Sequence, residues 1–232
     1  SVSQLKGIKG IGDTILQKLE EYHKTGTLKV LEAEKNNPIN LLTKVYGIGP
    51  KKAQELVDLG ITNLDALRER PDLLTSGMKY GLEYFDDIET RIPREEITEY
   101  DKTLRTIFDK VTPSGSTFEI VGSYRRGALD SGDIDIIITN KHNDKAAFES
   151  FIDELIKENI IIAMLSRGKI KSLTVGRLKP GMRARRLDFM YTTPEEYPFA
   201  ILYFTGSKTF NTLQRQKALD MGYTLNEHGI YK

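Results

Sequence analysis

Apolar residues recur at helical spacing through the first part of the chain. After a glycine-rich start, this spacing predicts a helix over 15–22, and a second apolar stripe at 53–57 predicts another. Further helices are predicted over 61–74 and 76–92. Pro93 is placed to open a long helix, because proline suits the first helical turn. The first part of the chain is therefore expected to be all-helical.

The pattern changes from Phe118 onward, where β-branched residues predominate. This composition predicts strands over 118–124, 133–140, 169–179 and 183–192, with one amphipathic helix at about 144–158. Strands with a helix packed on one face are typical of an α+β domain. The sequence thus predicts an α+β protein whose N-terminal part is helical.

Two aspartates in the second predicted strand form a candidate metal site. Asp133 and Asp135 are one residue apart, so their side chains share a strand face while Ile134 faces the core. Neighbouring carboxylates repel each other, and a hard divalent cation such as Mg²⁺ relieves the repulsion by binding through oxygen. Asp188, in the last predicted strand, is the candidate third carboxylate. The spacing by itself fits a solvated strand edge better than a metal site.

The residues before the two aspartates favour the metal site. A Gly122-Ser123 turn is followed by Arg125 and Arg126, which are the hydrogen-bond donors that a triphosphate needs. Gly132 immediately precedes the first aspartate, where a missing side chain permits close approach of the backbone to a phosphate. The stretch therefore predicts an anion-binding turn beside a cation site.

Two glycine-rich turns in the helical part have the same pattern. Gly10 and Gly12 precede the first helix, and Gly47 and Gly49 precede Pro50 at the start of a later one. A turn of this kind exposes helix N-terminal amides, which attract phosphate. One copy alone fits an ordinary tight turn as well, but two copies flanked by lysines resemble the helix-hairpin-helix motif. That motif binds the DNA backbone without sequence preference, so its four glycines are assigned to DNA binding by resemblance.

The same resemblance implies a monovalent cation, Na⁺ or K⁺, held by backbone carbonyls of the hairpins. The residues at the matching positions are Lys6, Ile8 and Ile11 in the first copy and Thr43, Val45 and Ile48 in the second.

Composition narrows the class of protein. The chain has 232 residues, 39% of them apolar, which suffice for a real core. The absence of cysteine excludes disulfides and thiolate metal sites, and three scattered histidines argue against zinc. No apolar run is long enough to span a membrane and no signal-peptide pattern is present, so an intracellular location is expected. That location is nuclear for a eukaryotic source, and the host cell or virion for a viral one.

A net charge of +1 means that any nucleic-acid surface must be local. Arg167, Lys169 and Lys171 alternate, which predicts that they share one strand face suited to a nucleic-acid backbone, although a solvated edge explains the pattern better. Asn211 and Arg215 lie four residues apart on a predicted helix, where they either read base edges or are ordinary surface residues.

Taken in order, the motifs resemble those of family X DNA polymerases, such as polymerases beta and lambda. The residues that carry the resemblance are the two glycine hairpins, then GSYRRG, SGDID, RRLDF and YFTGS, in series over nearly the whole chain. The resemblance implies a helical remnant of a lyase-type domain with the first hairpin over 1–35 and a helical DNA-binding subdomain with the second over 36–92. It also implies a mixed-sheet nucleotidyltransferase palm over 93–194 and an incomplete C-terminal subdomain over 195–232, which binds the nucleotide and base pair.

The resemblance also assigns roles to residues. Asp133, Asp135 and Asp188 would hold two Mg²⁺ ions, for which Mn²⁺ can substitute, and Arg186 would orient a catalytic carboxylate. The nucleotide-binding set comprises Arg91, Gly122, Ser123, Arg126, Gly132, Tyr203, Phe204, Gly206 and Asn211. Arg215 is expected to contact the template strand.

The function implied is template-dependent addition of a dNMP to a primer 3′ hydroxyl on gapped or primed DNA, by a monomeric repair enzyme. Tyr203-Phe204 and the short LKPGMR loop favour deoxynucleotides and copying of a template. Lys18, at the matching helical position, implies a 5′-deoxyribose phosphate lyase activity through a Schiff base. Two alternatives stay open: another nucleotidyltransferase, acting on RNA or a small molecule, and an inactive protein that binds gapped DNA.

Overall fold

A computed structural model describes residues 2–35 and 37–232 and divides the chain into two compact units, Ser1–Leu74 and Thr75–Lys232. Ser1 and Asn36 lie outside the described residues, and so does the predicted domain boundary at residue 36. The other predicted boundaries stay predictions. None of the helices in the described ranges combines the length and apolar character that crossing a membrane requires.

The first unit is helical. Short 3₁₀ turns lie at Val2–Leu5 and Pro71–Leu73, and the α-helices are α1 (Asp13–Thr25), α2 (Lys29–Lys35), α3 (Pro38–Leu42), α4 (Pro50–Asp58) and α5 (Leu64–Arg68). Proline opens both α3 and α4, where its missing amide hydrogen costs no helical hydrogen bond. The helical prediction for this part of the chain is thus confirmed.

The turns before α1 and α4 share one backbone conformation. Gly12 and Gly49 precede their helices with φ, ψ of −90°, 176° and −83°, 174°. Two residues earlier, Gly10 and Gly47 have φ of 92° and 83°, a left-handed region that favours glycine. The repeat seen in the sequence is therefore a repeat of backbone geometry, and its identity as a DNA-binding motif stays a prediction.

The two turns differ in burial. In both, an amide bonds the carbonyl three residues earlier at 3.0 Å, Ile11 to Ile8 and Ile48 to Val45. Val45 and Ile48 are 1% and 3% exposed, whereas Ile8 is 48% exposed and no residue of α1 is buried among those described. The second turn is thus anchored by apolar packing inside its unit, and the first is not.

The second unit contains the sheet and its covering helices. Its helices are α6 (Ser76–Glu83), α7 (Phe85–Glu89), α8 (Arg94–Val111), α9 (Gly122–Arg125), α10 (Ala146–Lys157), α11 (Tyr197–Thr205) and α12 (Lys208–Asp220). Its strands are β1 (Ile92–Pro93), β2 (Ser116–Ile120), β3 (Asp130–Ser131), β4 (Ile134–Asn140), β5 (Ile161–Arg167), β6 (Lys171–Gly176), β7 (Arg185–Tyr191), β8 (Thr224–Leu225) and β9 (Ile230–Tyr231).

The central sheet of this unit has five strands within the described residues, in the order β2-β4-β7-β6-β5. β4 and β7 are parallel and the other neighbours are antiparallel, so the sheet is mixed. One face packs against α8 and α10, with Ile134, Ile136 and Phe189 in the core cluster. The predicted α+β class is confirmed, and the opposite face of β4 and β7 is left for polar side chains.

One predicted surface is wrong. Arg167, Lys169 and Lys171 do not share a strand face, because Arg167 ends β5, Lys171 begins β6, and Lys169 lies in the turn between them. The amide of Gly168 donates to the carbonyl of Lys171 at 2.7 Å and closes that turn. Arg167 pairs with Asp153 at 2.6 Å. The role of these cations in DNA binding stays a prediction, without the common face.

The apolar core of the second unit centres on Phe151 of α10. Its ring lies 5.0 Å from that of Phe108, 5.9 Å from that of Phe118 and 5.8 Å from that of Phe189.

Phe151→Ala should lower the free energy of unfolding by about 3–5 kcal/mol, because the sheet and α8 cannot collapse into the space that the ring leaves. Urea unfolding followed by circular dichroism measures the change. Ile156→Ala, at a 38% exposed position of the same helix, is the control. An equal loss in both variants would contradict the prediction.

Candidate active site

The candidate site begins with the pairing of β4 and β7. Their parallel register places Asp135 directly beside Asp188 on the sheet face that α8 and α10 do not cover. Asp133, which the sequence placed inside the strand, immediately precedes β4. One carboxylate oxygen from each residue lies within 4.8 Å of the others. The structure thus brings together all three carboxylates that the sequence singled out.

Arg186 links two of the three carboxylates. Its Nη2 lies 2.6 Å from Asp188 Oδ2 and 3.1 Å from Asp133 Oδ2, and the arginine side chain is 31% exposed. Arg186 sits two residues before Asp188 on β7, so alternation along the strand places both on one face. The guanidinium therefore fixes the orientation of two candidate ligands and offsets part of their charge.

Asp135 has a strongly raised pKa. Burial, together with the charges of Asp133 and Asp188, raises its pKa to about 7. Burial also raises the pKa of Asp188, while the hydrogen bond from Arg186 acts in the opposite direction. A cation bound beside these carboxylates would favour their charged forms.

The sequence-predicted glycine turn after β2 is the short helix α9, which lies against the same carboxylates. Gly122 has φ of 62°, and a Cβ atom placed on it would lie 3.0 Å from Asp135 Oδ2. A side chain at this position would therefore strain the backbone and crowd the carboxylate. Ser123 follows and donates its hydroxyl to Ser131 Oγ at 2.6 Å. The predicted anion-binding turn thus lies beside the predicted cation site.

The two arginines of the turn contact the end of α11. Arg126 Nη1 donates to the carbonyl of Thr205 at 2.6 Å, and Arg125 Nη1 donates to the Thr205 hydroxyl at 3.1 Å. Asn211, on α12, donates its amide to the carbonyl of Tyr203 at 2.7 Å. These contacts hold the residues after β2 close to those of α11 and α12.

A cleft of about 500 Å³ opens between these segments. It is lined by eight residues that the sequence assigned to metal, nucleotide or template: Gly122, Arg126, Asp135, Tyr203, Phe204, Gly206, Asn211 and Arg215. The cleft has the size of a small-molecule site, and its lining combines aromatic side chains with charged and polar ones.

Three family models match consecutive parts of the chain. The polymerase beta palm matches 91–194, the polymerase lambda fingers domain matches 40–89, and the polymerase beta thumb matches 200–232. The chain belongs to the family X DNA polymerases. The palm match contains all three carboxylates, and the thumb match contains Tyr203, Phe204, Asn211 and Arg215.

Two relatives are similar over the full chain. DNA polymerase lambda of Arabidopsis thaliana is 34% identical over 249 residues, covering 100% of this chain and 46% of the relative. DNA polymerase lambda of Rattus norvegicus is 31% identical over 240 residues, covering 99% of this chain and 42% of the relative. The chain thus spans a little under half of the length of these relatives.

The three carboxylates fit a divalent cation. All the donor atoms are oxygens, which Mg²⁺ prefers. A bound cation would offset the negative charges of Asp133 and Asp188, which together with burial raise the pKa of Asp135. Arg186 already offsets part of the negative charge of Asp133 and Asp188. A bound cation would offset the negative charge that remains.

Three contacts at the site were missed from the sequence. Asp130 binds Arg91, Thr205 accepts from Arg125 and Arg126, and Lys171 lines a small pocket beside Asp135 and Asp188. Arg91 and Asp130 are 39 residues apart, and no local pattern connects them. The sequence pattern places Lys171 on a common strand face with Arg167 and Lys169, and the structure shows that these three residues do not share a face.

The remaining predicted residues lie elsewhere. Lys18 is exposed on α1, and the hairpin residues belong to the first unit. Arg91, Ser123 and Gly132 lie in the second unit. Ser123 directly follows the cleft residue Gly122, and a Cβ atom placed on Gly132 would lie 3.3 Å from Arg91 Nη1.

Asp135→Asn should stabilise the metal-free protein in a pH-dependent way. The pKa of Asp135 rises from 3.8 to about 7 on folding, so its stabilising contribution is complete below pH 4 and is lost as the pH rises through 7. The amide cannot ionise and avoids that loss. The variant should gain about 1–4 kcal/mol in free energy of unfolding at pH 8 and little at pH 4.

Urea unfolding in EDTA at both pH values measures this gain. Asp109→Asn, at an exposed position of α8, is the matched control and should show no gain at pH 8. If the wild type is as stable as Asp135→Asn at pH 8, ionisation of Asp135 does not lower the free energy of unfolding, and the prediction is wrong.

Proposed function

We propose that the chain is a template-dependent DNA polymerase that adds a dNMP to a primer 3′ hydroxyl, filling gaps during DNA repair. The observation that carries the proposal is the in-register pairing of Asp135 with Asp188 beside a cleft lined by the expected nucleotide-binding residues. Family membership supports the same reaction class. The substrates are a dNTP and gapped or primed double-stranded DNA, and the working form is a monomer.

The three carboxylates form the metal-binding site. Asp133, Asp135 and Asp188 would hold two Mg²⁺ ions, with Asp188 on the primer side. When bound, such ions lower the pKa of the primer hydroxyl and neutralise charge on the departing pyrophosphate. Arg186 keeps Asp188 and Asp133 oriented through its shared Nη2. Catalysis at such a site is chiefly positioning and electrostatic stabilisation.

The cleft residues bind the nucleotide together with Arg91, Ser123 and Gly132. Arg91, Ser123, Arg126 and the backbone at Gly132 supply donors for the triphosphate. The aromatic pair of Tyr203 and Phe204, whose ring centroids are 5.0 Å apart, and Gly206 form the wall for sugar and base. Asn211 contacts the base edge, and Arg215 contacts the template strand.

The glycine turns of the first unit bind the DNA backbone. At both positions the N-cap is a glycine and no side chain caps the helix N-terminus, and phosphate is an anion that such N-terminal amides attract. A monovalent cation, Na⁺ or K⁺, is held by carbonyls of the two turns. This contact is independent of base sequence, as gap repair requires.

A second activity is proposed for Lys18. The side chain is exposed on α1, after the first glycine turn, and an amine accessible to solvent can form a Schiff base with an aldehyde sugar. The activity is removal of a 5′-deoxyribose phosphate from an incised abasic site.

Asp188→Ala should abolish incorporation of a nucleotide while retaining DNA binding. It removes a metal ligand and the partner of Arg186, so the rate of single-nucleotide gap filling should fall by about a thousandfold or more. The assay uses a one-nucleotide gap with Mg²⁺, and binding is followed by fluorescence anisotropy. Asp109→Ala is the control and should keep the wild-type rate. A normal turnover rate in Asp188→Ala would show that Asp188 is not a ligand of a catalytic metal.

The same assay separates the proposal from its alternatives. Wild type should incorporate dNTP in preference to rNTP, and only with a template. Extension of RNA or of a free acceptor would identify another nucleotidyltransferase. Salt-dependent binding of gapped DNA with no incorporation under any condition would identify an inactive DNA-binding protein.

Lys18→Ala should eliminate a covalent adduct with abasic DNA. Borohydride reduction traps the Schiff base, and the product is resolved on a denaturing gel. Lys24→Ala, on the same helix, is the matched control and should still form the adduct. Equal trapping by both variants, or none by wild type, would eliminate the proposed role of Lys18.

A further inference from the structure

The side chain of Arg91 is held by one aspartate. Its Nε and Nη2 both donate to Asp130 Oδ1, at 3.1 and 2.6 Å, and Nη2 also donates to the Asp130 carbonyl at 3.1 Å. Nη1 takes no part in these three hydrogen bonds. A Cβ atom placed on Gly132 would lie 3.3 Å from that Nη1. The guanidinium is therefore fixed along one edge and directed with its other edge toward Gly132.

The backbone on both sides of Arg91 is fixed separately. Pro93 pairs with Asp130 across β1 and β3. On the other side, the Thr90 carbonyl accepts from Arg185 Nη1 at 2.9 Å, and Arg185 also forms a fork-shaped pair with Glu96. The carboxylate of Asp130 is therefore needed to hold the side chain of Arg91 but not its main chain, because other contacts hold the backbone on both sides.

We propose that Asp130 is a positioning residue for nucleotide binding, which holds Arg91 so that Nη1 faces the triphosphate position at Gly132. The inference rests on the proposed polymerase function. Both side chains of the pair are more than half exposed, at 58% and 54%, and exposed pairs of this kind contribute little to folding stability. Placement of an arginine in advance does benefit ligand binding, because the ligand then orders one less flexible side chain.

Removing the charge of Asp130 has an effect on nucleotide binding opposite to that of removing its hydrogen bonds to Arg91. Asp130 carries a negative charge close to where a triphosphate binds, and repulsion alone would make removal of the charge strengthen binding. The geometry offers a clean distinction. Both side-chain hydrogen bonds from Arg91 converge on the single atom Oδ1, so an asparagine can accept both through its amide oxygen while carrying no charge.

The experiment compares Asp130→Ala and Asp130→Asn with wild type in single-nucleotide gap filling at varied dNTP concentration. Asp130→Ala should raise the KM for dNTP about three- to tenfold, the cost of ordering one long side chain, with kcat within about twofold. Asp130→Asn should restore the wild-type KM or lower it. Asp65→Ala, which removes another 2.6 Å pair with an arginine, is the control and should leave both parameters unchanged.

A double-substitution cycle tests whether Asp130 acts through Arg91. In an Arg91→Ala background, Asp130→Ala should cause no further rise in KM. Thermal unfolding checks that the variants are folded. An unchanged or lower KM in Asp130→Ala overturns the inference, as does a full additional effect in the Arg91→Ala background. These results require an active wild type, so a wild type that incorporates nothing refutes the polymerase proposal instead.

Discussion

Like-charge repulsion among three carboxylates is the constraint around which the second unit is arranged. The parallel pairing of β4 and β7 brings Asp135 beside Asp188, and burial with its neighbours' charges raises the pKa of Asp135 to about 7. The opposite face of the same strands is packed with aromatic and aliphatic side chains against α8 and α10. Apolar packing on one face therefore supplies the free energy that holds charged groups together on the other.

Arginines at the site are already bound to protein acceptors. Arg186 contacts Asp188 and Asp133, Arg91 contacts Asp130, and Arg126 contacts the carbonyl of Thr205. Each guanidinium is thereby held in one orientation while retaining further donors, because arginine carries five N–H groups. The site thus has cationic side chains that are ordered before any anion arrives, which is the arrangement expected where positioning supplies most of the catalysis.

Much of the site was predictable because its signals are local. The spacing of Asp133 and Asp135 and the glycines of the turn each depend on a few consecutive residues, as do the two glycine hairpins of the first unit. Failures occurred where the signal is not local or not distinctive. β5 was missed because Ile160 to Leu165 is almost uniformly apolar and shows no alternation. The charges around Gly168 fit a strand and a hairpin turn equally, and the contact of Arg91 with Asp130 joins segments 39 residues apart.

The consecutive arginines of β7 serve opposite faces of the sheet. Arg185 is 4% exposed on the helix-covered face and forks onto Glu96, while Arg186 lies with the carboxylates. Slipping β7 by one residue would exchange the two faces, placing Asp188 in the apolar core and Leu187 or Phe189 beside Asp135. A misregistered strand would thus lose its buried ion pair and its cation site together. Assembly of the site is consequently inseparable from correct registration of β7 in the sheet.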